Sequence, residues 1–142
     1  MTQKWLVPID GSEIALRSIT WIIKHTAEWR EPPHIHLINV QVALPKDIGR
    51  FINAEAMREF HLETGMAALA PARDRLTAAG LIPELHVLVG DPATAITEFA
   101  DSHGSSQILI GTHGNSGLTG ALLGSVAMKV VHHAHVPVLL IR

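Results

Sequence analysis

Five short apolar runs, separated by stretches with helical periodicity, constrain this chain more than any other feature. The runs span residues 4–9, 34–42, 82–89, 107–110 and 138–141. The first helical stretch starts after Ser12 and reaches about Trp29, with Ala15, Leu16, Ile19, Ile22 and Ile23 on one face. Residues 54–79, 92–103 and the segment opening at Ser125 supply the other helical patterns. Strand and helix in strict alternation predict an α/β fold: one open, five-stranded parallel sheet with helices on both faces and right-handed crossovers. The first and fourth runs are almost uninterrupted apolar sequence, as strands buried on both faces require. In such a sheet a ligand sits beyond the carboxyl ends of the strands, where the strand order reverses.

Local signals set the expected boundaries. Pro8 lacks a ladder donor and is tolerable only at the end of the first strand. Asp10-Gly11-Ser12 is a strand-to-helix turn with Ser12 as the expected N-cap. Pro32-Pro33 ends the first helix, and residues 44–53 read as an irregular connection. Pro71 is expected to kink or split the helix over 54–79, and Gly80 suits the position just beyond its end.

The fourth strand runs into a glycine-rich loop with the spacing Gly111-x2-Gly114-x9-Gly124-Ser125. Glycines let backbone amides approach an anion closely and reach φ > 0 without steric cost. The first amides of a helix lack internal partners and carry the positive end of the macrodipole, so a loop of this kind before Ser125 suits a phosphate. It is neither a Walker A loop, since no Lys precedes the Ser, nor a G-x-G-x-x-G fingerprint. The structural alternative is that the glycines only turn the chain and Ser125 only caps its helix.

This pattern, followed by Val126-Ala127 and the VPVLLIR ending, resembles the universal stress protein family in its ATP-binding branch. The opening LVPIDGSEIALRSITW resembles the family's first strand and helix, and Gly90-Asp91-Pro92-Ala93 its turn after the third strand. Members outside the ATP-binding branch usually lack the G-x2-G-x9-G-S pattern. The resemblance covers residues 1–142 as one domain. It implies a Rossmann-like sheet of the adenine nucleotide alpha hydrolase type, with strand order 3-2-1-4-5. The switch point would then fall between Asp10 and Gly111.

The resemblance also implies a site. Pro8, Ile9 and Asp10 would lie on the nucleoside side, with Asp10 accepting from ribose or helping to hold Mg²⁺ brought by ATP. Backbone groups at Val40 would reach the adenine. Gly111, Thr112, His113, Gly114, Gly124, Ser125 and Val126 would hold ribose and phosphates. The expected ligand is ATP, or ADP or AMP, with Mg²⁺ as its companion. Where the family often has an acid completing a capping box, this chain has Met128. A homodimer is implied through the last strand, with Val136, Val138, Leu139, Leu140 and Ile141 at the interface, since an apolar edge invites pairing.

Composition narrows the partners. The net charge of −2 and the lack of a basic run argue against nucleic acid. No apolar run approaches the ~20 residues of a membrane span, and the start does not read as a signal peptide. The absence of Cys excludes thiolate chemistry and fits a cytoplasmic location. The ten histidines include His34 and His36 alternating on a strand and His132, His133 and His135 near a helix end. With no Cys and no H-E-x-x-H, they give no expected metal site in the protein alone.

Ser116 lacks a G-x-S-x-G frame, and no paired carboxylates or conspicuous Lys mark the loop. The expectation is therefore nucleotide binding with little or no turnover, in a stress-response switch or sensor that an unidentified protein partner reads. The alternatives are a slow ATPase or nucleotide-processing enzyme, and a protein-interaction module that keeps the motif as structure.

Overall fold

The computed structural model describes residues 2–112 and 123–142. Its elements run β1 (Lys4–Pro8), α1 (Leu16–Thr26), β2 (His34–Gln41), α2 (Lys46–Gly49), α3 (Ala54–Ala78), β3 (Glu84–Val89), α4 (Pro92–Ser102), β4 (Gln107–Gly111), α5 (Ser125–His133) and β5 (Val138–Ile141). The five strands form one sheet in the order β3-β2-β1-β4-β5, and every neighbouring pair is parallel.

Alternating side chains divide the core between the two faces of the sheet. Trp5, Val7, Ile9, Leu37 and Leu109 pack with Ile19 and Ile22 of α1 and Leu69, Ala72 and Leu76 of α3. Leu6, Ile38, Ile108 and Ile110 pack with Ala93, Ile96 and Phe99 of α4 and Ala127 and Val130 of α5. Each fully buried Leu or Ile contributes about 1.5–3 kcal/mol relative to an exposed one. In α3 the buried residues His61, Gly65, Leu69, Ala72 and Leu76 recur every three or four positions, one stripe against the sheet.

Several boundaries differ from the sequence expectation. Ser12 is not the N-cap of α1. Its hydroxyl accepts from the Ala15 amide at 3.2 Å. The amides of Leu16, Arg17 and Ser18 then bond three residues back, so a tight turn leads into the helix. Pro71 does not split α3, which is continuous around it. Both Pro71 and Ala67, whose carbonyl Pro71 cannot serve, are exposed, so water can take up that carbonyl. The connection over 44–53 contains the single turn α2. Residues 82–83 lie outside β3, whose ladder starts at Glu84 opposite His36.

Gly80 sits beyond α3 as expected, at φ +83°, with the amides of Gly80 and Leu81 donating to the carbonyls of Thr77 and Leu76. That is a Schellman closure, which needs the left-handed region at Gly80. Among the described residues no helix is long and apolar enough to cross a membrane.

Candidate functional site

The carboxyl ends of β1 and β4 face a cleft of about 400 Å³. One wall is the end of β1 through Pro8, Ile9 and Asp10. Another is the end of β4 and the residue after it, Ile110, Gly111 and Thr112. The first turn of α5 (Gly124, Ser125, Val126, Ala127) and the start of α4 (Pro92, Ile96) complete it, over a floor from the end of β2. Pro8, Ile9, Asp10, Val40, Gly111, Thr112, Gly124, Ser125 and Val126 were all expected at one site, and all of them line this cleft. His113 and Gly114 lie outside the described residues.

Strand order explains the convergence. β1 is central and its neighbours β2 and β4 leave in opposite directions, so the crossovers part over the carboxyl end of β1. Asp10 lies two residues beyond that end. Its Oδ1 accepts from the Ser12 amide at 2.9 Å and from the Ser12 hydroxyl, so the carboxylate shapes the turn while its residue lines the cleft. Gly11, at φ +88°, makes that turn possible.

On the opposite wall the Gly124 amide donates to the Thr112 carbonyl at 2.6 Å, closing the end of β4 onto the start of α5. Ser125 is not the N-cap. Gly124 holds that position at φ −62°, ψ 156°, with no side chain capping the helix, and Ser125 is the first helical residue. The Gly124 carbonyl accepts from Met128, whereas no carbonyl of α5 can reach the amides of Ser125, Val126 and Ala127. Those three residues line the cleft. Positive φ occurs at Gly11, Gly80, Gly90 and Gly104 but not at Gly111 or Gly124. Their value at the cleft is therefore the absence of a Cβ and not left-handed backbone.

Among the described lining residues Asp10 is the one charged side chain. Lys129 lies further along α5, is exposed, and its charge acts on Asp91. The described lining thus offers an anion helix-end amides and glycine backbone, with no cationic side chain among its residues.

Asn39 is a site residue that the sequence reading missed. It is buried, and its Nδ2 donates to the Ile9 carbonyl at 2.9 Å while its Oδ1 accepts from Gln41 Nε2 at 2.6 Å. With the Ile9 amide donating to Ile38, this ties β2 to the last turn of chain before Asp10. The signal was an amide side chain within the apolar run HLINV, since a buried polar group needs a partner. Val42, Ile38 and Gln41 also line the floor.

These features define a class: an open parallel α/β protein with its ligand cleft at the topological switch point and a helix N-terminus across it. A family model of the universal stress protein family matches residues 1–142. The universal stress protein MJ0531 of Methanocaldococcus jannaschii is 34% identical over 143 residues, which covers 99% of this chain and 82% of that protein. The chain belongs to the universal stress protein family.

Among solved structures, MJ0577 of the same organism superposes with a TM-score of 0.80 at 25% identity, covering 99% of this chain and 96% of that one. A universal stress protein solved in complex with cAMP superposes with a TM-score of 0.72 at 26% identity, covering 99% and 97%.

Proposed function

We propose that the cleft binds an adenine nucleotide, with ATP as its ligand, and that the protein acts as a nucleotide-dependent switch or sensor. The observation that carries this reading is the first turn of α5. Ser125, Val126 and Ala127, whose amides have no acceptor within the helix, line the cleft, with a side-chain-free Gly124 at the cap position. The relative that holds cAMP supports the adenine part of the reading.

In this arrangement the α5 amides, with Gly114 and the Ser125 hydroxyl, hold the phosphates. The backbone at Val40 reads the base edge. Asp10 accepts from the ribose or takes a place beside Mg²⁺, whose charge would offset the phosphates. A cleft of about 400 Å³ lies within the ~300–1,000 Å³ of small-ligand sites. Turnover is slow or absent, because phosphoryl transfer needs a positioned water and, beside any Mg²⁺, Lys or Arg to stabilise the charge that develops. The described lining offers only Asp10.

The edge strand β5 pairs with β4 on one side only, and its Val138, Leu139 and Leu140 remain partly exposed. It is the surface through which the protein would form a homodimer in the cytoplasm.

The test starts with purified protein, denatured so that any co-purified nucleotide can be identified by mass. ATP–Mg²⁺ is then titrated calorimetrically into stripped protein. Binding at about 1 µM or tighter, about −8 kcal/mol, supports the reading. No heat at millimolar ATP overturns it. Product formation above that of a Gly124→Val variant would instead favour a slow ATPase.

A further inference from the structure

We propose that His36, Glu84 and His86 form a binding site for a borderline divalent transition ion of the Zn²⁺ type. The site is separate from the cleft and lies toward the amino-terminal ends of β2 and β3. His36 Nδ1 lies 3.0 Å from His86 Nε2 and 3.5 Å from Glu84 Oε2, and His86 Nε2 lies 3.9 Å from Glu84 Oε1. Ligands held about 2.0–2.1 Å from a tetrahedral Zn²⁺ stand about 3.4 Å from one another. The three measured separations bracket that value, so an ion can enter with small side-chain movements. Three converging ligand atoms of this kind, all within 4.8 Å, form the group that suits a metal among the described residues.

The sheet builds the site. His36 is directly opposite Glu84 in the β2–β3 ladder, and His86 is opposite Ile38, so the two-residue steps 36/38 and 84/86 put all three side chains on one face. That face is covered by α4. The His86 ring lies 4.6 Å from the Phe99 ring, and Phe99 stacks on His103 at 3.7 Å. The imidazoles themselves stack, 15° from parallel, which holds both rings in place before an ion arrives. His36 and His86 are 13% and 19% exposed and Glu84 is 68% exposed, so an ion can reach the site from solvent.

Glu84 would supply the negative charge an ion needs. Two imidazoles and one carboxylate match the preferences of Zn²⁺ and leave a fourth position for water. His103 is not counted as a ligand, since it is not among the side chains whose ligand atoms converge.

The experiment uses the untagged full chain, stripped with chelator and titrated with Zn²⁺ by calorimetry and with Co²⁺ by visible absorption. The expected result is one equivalent bound at about 1 µM or tighter, with the d–d bands of a four-coordinate Co²⁺ site. His36→Gln and His86→Gln should each weaken binding by about 100-fold or more, at least the effect of losing an outer-shell partner.

Glu84→Gln, on an exposed side chain that cannot disturb the core, should weaken it by about tenfold or more on the same grounds. The double variant His132→Gln/His133→Gln, at exposed positions on α5, should leave it unchanged. No binding at about 100 µM Zn²⁺ overturns the proposal. So does binding that survives Glu84→Gln and His86→Gln at full strength, or binding that disappears with the α5 histidines.

Discussion

The amide of Gly124 donates to the carbonyl of Thr112 at 2.6 Å, so the last residue before α5 is fixed to the residue after β4. That bond holds the start of α5 against the end of β4 on the wall opposite β1. Because Gly124 has ordinary extended angles, a side chain there meets no backbone penalty; its cost comes from filling the space where a phosphate would approach the helix. Gly124→Val should therefore weaken ATP binding by about 100-fold, about 2.7 kcal/mol, measured by calorimetry. The helix should lose about 1 kcal/mol, because Val is a poor N-cap.

Ser125 separates binding from stability more cleanly. It is exposed at the first helical position. A carboxylate there meets the positive end of the helix and favours it by about 0.3–1 kcal/mol. The same carboxylate opposes a phosphate. Ser125→Glu should hold or raise the melting temperature while abolishing ATP binding. A variant that still binds ATP at wild-type affinity would remove the α5 amides from the site.

The Asn39 side chain joins β2 to the Ile9 carbonyl beside Asp10. Asn39→Leu keeps the branching of the side chain but leaves that carbonyl without its donor in a buried place. The expected loss is about 1–3 kcal/mol of stability, seen as a lower denaturant midpoint. Nucleotide affinity should fall with it, because the turn carrying Asp10 loses its tie to the floor.

Much of this architecture was legible because it depends on period and spacing. The apolar runs of β1 and β4 and the alternating faces of α1 and α4 each carry a pattern that survives without tertiary context. The strand order, which puts Asp10 and Gly111 at one switch point, rested on resemblance and matches the observed sheet. What stayed hidden depends on register between distant strands. His36 and His86 are 50 residues apart, and only the β2–β3 pairing places Glu84 opposite His36. Asn39 was hidden differently, since its partner is a backbone carbonyl that any sequence would supply. The N-cap of α5 was misplaced by one residue because Ser125 is the better capping side chain, yet the extended backbone falls at Gly124.

Gly65 of α3 lies against Val87 of β3. A Cβ at Gly65 would overlap Val87 Cγ1 and stand 2.7 Å from Cγ2. Both branches of a stiff side chain are in the way, so rotation about χ1 does not clear it. Gly65→Ala should destabilise the protein by about 1–3 kcal/mol despite the better helix propensity of Ala. Adding Val87→Ala should recover part of that loss, and thermal unfolding of the two single variants and the double reads the coupling. Additive effects would mean that α3 and β3 do not meet at this pair.

Asp91 caps α4 by accepting from the amide and the hydroxyl of Thr94 at 3.1 and 2.8 Å. The backbone amide first, then the hydroxyl, and more weakly the charge of Lys129 hold its pKa below the ordinary carboxylate value. A carboxyl whose folded pKa is depressed binds fewer protons folded than unfolded, so its contribution is fully present above the unfolded value. That contribution is lost as pH falls through the folded value. Wild-type melting temperature should therefore fall on the acid side more steeply than that of Asp91→Asn, which caps without titrating. At neutral pH Asp91→Asn should lie close to wild type and Asp91→Ala clearly below both, because Ala offers the Thr94 amide nothing. Equal acid slopes in wild type and Asp91→Asn would show that the cap carries no linked proton.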